Sequence, residues 1–252
     1  MNRYSKRYEL KDKAKDCLGG NYGTLILGGF LFSLIIFVVV FIFGFPYFLS
    51  LSASMYSGGG YSPVSFRLYQ AGTMIGQILS GFLNFGTAYL CLKIVCGQWN
   101  TYTDIFFGFQ RGNLFKTLLL TAIRLAFGFL CALPGGYFRT CYAQSSAREL
   151  LLASVLAYII GCCIYIPVAL ALDITYFLLL DFPDKRVPEI IKDSFRLIKG
   201  NRRRLFLLEL SFLPLQLLVL LSFGIGSFWL EPYMHMTYTL FYLDLINPQK
   251  EA

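Results

Sequence analysis

Charge is scarce in this sequence: Asp, Glu, Lys and Arg supply only 14% of its 252 residues, against roughly a quarter in an ordinary soluble domain. That deficit excludes a chain whose surface meets mainly water. Histidine occurs once, as His235, so no pair of imidazoles stands at metal-ligand spacing. The adjacent Cys162 and Cys163 lack the second pair that a zinc site needs. Neither a metal nor a cofactor is expected. Also missing are a glycine-rich phosphate loop ending in Lys and Ser or Thr, and a nucleophile elbow. The loops of the face opposite the basic one offer Arg139, Arg148 and Glu231 but no acid-base pair. The chain is therefore not expected to be an enzyme.

What the sequence does have is apolar residues, 56% of the total, gathered into runs. A bilayer crossing takes about 20 of them. The runs are Tyr22 to Phe45, Gly72 to Cys96, Leu114 to Leu133, Leu150 to Leu180, Leu205 to Ser227, and a shorter, more polar one from Phe228 to Leu245. Met1 to Lys15 is too charged for a signal peptide. The expected fold is all-α: a polytopic transmembrane helical bundle of six spans, in one integral membrane domain over residues 1–252.

Basic residues resist translocation and mark cytoplasmic loops. With six spans and the N-terminus inside, 18 of the 22 Lys and Arg fall on or beside the cytoplasmic side. Arg67, Arg139 and Arg148 fall on the other face and Arg124 within a span. This predicts a cytoplasmic-membrane protein with both termini in the cytoplasm. An internal repeat supports the count. Gly-Asn recurs at Gly20-Asn21, Gly112-Asn113 and Gly200-Asn201, in steps of 92 and 88 residues. Each pair follows a basic or polar segment and is positioned to end it in a left-handed turn. After each pair an apolar run leads to a breaker, at Gly44-Phe45-Pro46, Pro134-Gly135-Gly136 or Gly224-Ile225-Gly226. Three two-helix units follow, over about residues 8–96, 104–181 and 190–245.

Pro188 to Leu197 sets Ile190, Ile191 and Phe195 against Lys192 and Arg196 at helical spacing. Such a helix lies in the inner interface with its basic side toward anionic headgroups. Tyr8 to Leu18 repeats the pattern more weakly. Lys192, Arg196, Lys199, Arg202, Arg203 and Arg204 are the expected lipid contacts. Membrane proteins are further candidate partners, and nucleic acid is not one, because topology already accounts for the basic residues. Tyr47 to Phe66, with its Ser-Gly-Gly-Gly, reads as a surface loop. Cys131 and Cys141 alone fall where they can meet in an oxidising space; free thiols packed as small apolar groups are the favoured alternative to a disulfide.

Ionisable groups inside a bilayer cost a few kcal/mol each and are functional suspects. Arg124, Asp173, Glu209 and His235 qualify. At 1.5 Å per residue each lies roughly 12 to 16 Å along its helix from the inner end, so they form one layer. Asp173 and His235 each stand two residues before a repeated Thr, where the first unit has Phe85. In the favoured reading Arg124 pairs with Asp173 or Glu209 and holds the bundle together. In the other, the layer is an ion or proton pathway.

The string Ser194 to Asn201 (Ser-Phe-Arg-Leu-Ile-Lys-Gly-Asn), Arg204-Leu205-Phe206, Phe223-Gly224-Ile225-Gly226, Trp229, Pro232-Tyr233 and Phe241-Tyr242 resemble a bacterial family of six-span membrane proteins catalogued as domain of unknown function 975. The likeness covers nearly the whole chain. More distantly, the layout is similar to the membrane domain attached to some glycerophosphodiester phosphodiesterases, without their catalytic domain. The family implies this architecture and supplies no reaction. The functional expectation is a non-catalytic scaffold or accessory that engages lipids or membrane proteins. The alternative is a small transporter or channel component.

Overall fold

Apolar segments in lipid must satisfy their own backbone groups, which makes them helices. In the computed structural model, which describes residues 2–57, 62–110, 112–145, 147–247 and 249–250, nine helices account for most of the described residues. They are α1 (Arg7–Leu18), α2 (Tyr22–Ser57), α3 (Pro63–Val95), α4 (Leu114–Ser145), α5 (Arg148–Asp181), α6 (Val187–Ile198), α7 (Arg202–Leu210), α8 (Leu213–Leu221) and α9 (Ser227–Ile246). A 3-10 segment covers Tyr102–Phe109. The only strand pairing among the described residues is a two-residue antiparallel ladder, β1 (Asn2–Arg3) with β2 (Gln249–Lys250).

Among the described residues, five stretches are long and apolar enough to cross a membrane: Tyr22–Tyr56, Pro63–Val95, Leu114–Tyr142, Arg148–Asp181 and Arg202–Leu221. The protein is membrane-embedded. The last stretch is divided between α7 and α8 by turns at Ser211 and Phe212. Pro214 explains the break, since its ring would meet the carbonyl of Leu210 four residues back. Helix α9 has 20 residues but carries Glu231, His235 and Asp244, which keep it out of that apolar set.

Two expected breakers do not break. Helix α2 runs through Pro46 and α4 through Pro134, so most of the stretch expected as a loop from Tyr47 to Phe66 is helical; its Ser-Gly-Gly-Gly tip lies partly outside the described residues. Within an apolar helix neighbouring side chains and local adjustment compensate for a proline's missing N–H. Gly224-Ile225-Gly226 does interrupt the chain, with Gly224 at φ 86.

The chain forms two compact units. The first comprises Met1–Arg7, Leu119–Pro214 and Phe241–Ala252, the second Tyr8–Leu118 and Leu215–Leu240. In the second, α2 and α3 pack as a hairpin. Small residues let them close, with Gly72 facing Phe43, Gly76 facing Val40 and Gly44 facing the Tyr69 ring. Near the tip Tyr47 stacks on Tyr69 at 5.3 Å, and the Ser50 and Ser65 hydroxyls are 2.7 Å apart. Helix α1 buries Leu10, Ala14 and Leu18, one residue per turn, and Ala14 and Leu18 join a core that includes Leu90, Cys91 and Met236. Lys13 and Lys15 stay exposed. It ends at Gly20, whose φ of 84 suits a residue without Cβ. The 3-10 segment is capped by Thr101 and Asp104, tied to α3 by a 2.7 Å Lys93–Asp104 ion pair, and stacked through Phe107 on Tyr89 at 3.8 Å.

In the first unit, Gly135 of α4 faces the Tyr158 ring of α5, and Gly161 faces the Cys131 carbonyl. Helix α6 docks on α5 through Val187, Ile190, Ser194 and Ile198, all buried. The Ser194 hydroxyl donates to the Ala171 carbonyl at 2.5 Å. Pro188 in the first turn and the Glu189 carboxylate, which accepts the Arg186 N–H, start this helix. Gly200, at φ 95, stops it. Gly112 shows no such left-handed turn, because a 3-10 segment rather than an α-helix precedes it.

Candidate functional site

Arg124 stands on α4, eleven residues past Asn113, and Asp173 on α5. The two form a direct ion pair through Nη1 and Oδ1. Tyr165 and Tyr176 lie near enough to the same guanidinium to interact with it electrostatically, and the Tyr176 hydroxyl lies 3.5 Å from that of Thr121. Of the two partners expected for Arg124, Asp173 and Glu209, the structure pairs it with Asp173. Glu209 lies in the last turn of α7, half-buried, and its backbone carbonyl accepts the Phe212 N–H at the α7–α8 break.

A second ionic cluster in this unit was not foreseen. Arg204 Nη2 donates to Asp244 Oδ2 at 2.7 Å and to the Ser5 carbonyl at 2.9 Å. The Ser5 N–H and hydroxyl both donate to Asp244 Oδ1. The guanidinium stacks over Tyr4 and Phe241. Asp244 is 8% exposed. Arg204, read from sequence as a lipid contact, is instead turned inward to hold the chain's two terminal segments. The other five basic residues, Lys192, Arg196, Lys199, Arg202 and Arg203, are exposed. Beside them Lys185 donates to Asp193 at 2.8 Å, and that hydrogen bond holds the Asp193 carboxyl below its ordinary range.

All seven cysteines are free. Cys131 and Cys141 share α4 ten residues apart, about 15 Å along the axis, far beyond the Cα separation a disulfide spans. At the end of α1, burial and then the neighbouring Asp16 push the Cys17 thiol up, away from reactivity.

In the second unit α2, α3 and α9 surround a cavity of about 300 Å³. His235 and Glu231, one helical turn apart on α9, line it with Ser33 and Asn84. Leu25 and Phe228 are among its apolar walls.

Residues 1–249 match the family described as "Protein of unknown function (DUF975)". The chain belongs to this family. No curated protein and no solved structure matches this DUF975 member.

Two features of this DUF975 chain escaped sequence reasoning. Glu231 falls in the run Phe228 to Leu245 yet is grouped with the outer loops, and α9 continues through it and Pro232. The i, i+4 spacing of Glu231 and His235 was the available signal. Arg204 sits in a basic triplet, and nothing in that triplet marks which residue turns inward; Asp244 lies 40 residues away.

Proposed function

We propose that this protein is a multi-pass protein of the bacterial cytoplasmic membrane, with six spans in three two-helix units and both termini inside. It acts without catalysis, as a scaffold or accessory that engages anionic lipids and other membrane proteins through its basic inner face. The observation that carries this reading is the division of α6. Val187, Ile190, Ser194 and Ile198 are buried while Lys192, Arg196 and the following Lys199 are exposed, and Arg202 and Arg203 extend the exposed cations. A helix so divided suits the interface, each cation being worth about 1 kcal/mol near an anionic surface. The left-handed glycines at Gly20 and Gly200 support the repeat, and the inclusion of α9 as the sixth span follows from the excess of basic residues on one side.

The test is anionic-lipid retention. Protein purified in mixed phosphatidylglycerol and phosphatidylcholine bicelles is expected to retain the anionic lipid preferentially. Replacing Lys192, Arg196 and Lys199 by Gln should lower that preference about fivefold per residue at ~1 kcal/mol each. Equal retention by the native chain and the triple variant would sink the reading.

One observation favours the second reading, a small transporter or channel component: His235 of the polar layer lines a cavity. Proton or small-ion flux in proteoliposomes that is lost in Asp173→Asn would support it. Absence of flux from folded, inserted protein would retire it.

A further inference from the structure

The cavity of the second unit holds polar groups whose hydrogen-bonding capacity is not used within the protein. Among the described residues the Glu231 carboxylate makes no hydrogen bond or ion pair, and the Ser33 hydroxyl and Asn84 amide likewise have no partner. No Lys or Arg lines the space. Asp104, Asp173, Asp193 and Asp244, by contrast, each meet a cation within the chain.

Position adds to this. Ser33 is 11 residues from the start of α2 and Asn84 is 11 from the end of α3, whereas Glu231, exposed, is four residues from the start of α9. The offsets of Ser33 and Asn84 correspond to about 16 Å along helices at 1.5 Å per residue. Those two therefore lie well inside apolar helices, and Glu231 lines the same cavity without a partner. A positive ligand would supply that partner. The cavity, about 300 Å³, stands at the small end of the range for ligand sites. Its walls combine a few polar groups with apolar surface from Leu25, Ile26 and Phe228.

The set of acceptors selects among cations. Glu231, Asn84 and Ser33 offer a carboxylate, an amide oxygen and a hydroxyl oxygen, three acceptors of different helices. A primary ammonium carries three N–H donors on one nitrogen. A metal ion is less well matched, since no group of three or more His, Cys, Asp or Glu converges among the described residues. A zwitterionic headgroup would bring a phosphate with no cation to meet it. We propose that this cavity binds a primary alkylammonium ion, with Glu231 as its counter-ion, Asn84 and Ser33 as neutral acceptors, and the alkyl chain against Leu25, Ile26 and Phe228. The inference stands apart from both readings above, because it concerns binding alone.

The experiment uses the full chain in nanodiscs and hexylammonium as the probe, with hexanol and hexanoate as partners of equal chain length. Saturable binding of hexylammonium, with neither control competing, is the expected result. Glu231→Gln should weaken it about tenfold or more, the loss expected for a hydrogen bond to a charged group, and should leave the melting temperature unchanged because no internal partner is lost. Asn84→Ala and Ser33→Ala should each weaken it a few-fold. Binding that hexanol reproduces, or that survives in Glu231→Gln and in Asn84→Ala, would overturn the proposal; so would the absence of saturable binding to the native chain.

Discussion

The arginine clusters of the first unit and the cavity of the second place charge in opposite ways. In the first, Arg124 meets Asp173 and two tyrosines, and Arg204 meets Asp244 with the backbone and hydroxyl of Ser5. Each of these charges meets an opposite one within the unit, so they hold helices and terminal segments together. In the second, Glu231 lines a cavity to which no Lys or Arg contributes. The lesson is that an ionisable residue in a span is not by itself a functional signal. Its partners decide whether it fastens the fold or waits for something else.

Substitution separates the two cases by size of effect. Arg124→Leu should be the most damaging, leaving Asp173 charged without its partner. A loss of about 3 kcal/mol is expected, at the low end for buried pairs because both side chains retain some exposure. Unfolding in mixed micelles measures it, and the double variant Arg124→Leu with Asp173→Leu should recover to within about 1 kcal/mol of the native chain. A double variant as unstable as the single one would show that the pair is not what Arg124 supports. Asp244→Asn comes next, at about 2 kcal/mol, because two Ser5 donors and Arg204 lose a charged acceptor together. The same unfolding assay, with proteolysis of the N-terminal segment as a local readout, checks it. Glu231→Gln should change stability by no more than about 0.5 kcal/mol; a large loss would mean that Glu231 is structural after all and would erase the contrast between the units.

The smallest effect concerns pH. Asp193 has a lowered carboxyl pKa through Lys185, so its contribution is present above the ordinary carboxylate value near 3.9 and is lost as pH falls through the lowered folded value. Stability measured from pH 6 to pH 2 should decline slightly less in Asp193→Asn than in the native chain.

Hydropathy exposed the long helices before any coordinates, since runs such as Tyr22 to Phe45 admit no other backbone state in lipid. The Arg124–Asp173 pair was legible as well, because so few ionisable residues interrupt the spans that partners are few. Helix ends were less so. Pro46 and Pro134 look like stops in a soluble protein, but the apolar surroundings favour continued backbone hydrogen bonding, and α2 and α4 go on for about another three turns. The inward turn of Arg204 and the cavity around Glu231 depend on residues dozens of positions away and on helix rotation, which one-dimensional spacing does not fix.

Helix α2 has one further implication. Its apolar side chains continue from Leu25 to Met55, about 45 Å at 1.5 Å per residue. A hydrocarbon layer is about 30 Å thick, and even a 40° lean, the steep end for single spans, shortens that band only to about 35 Å. The mismatch must be met by a locally thicker bilayer or by other apolar surface at the far end, where Phe48, Met55 and Tyr56 are exposed. The stability of a hairpin of this height should rise as the acyl chains around it lengthen.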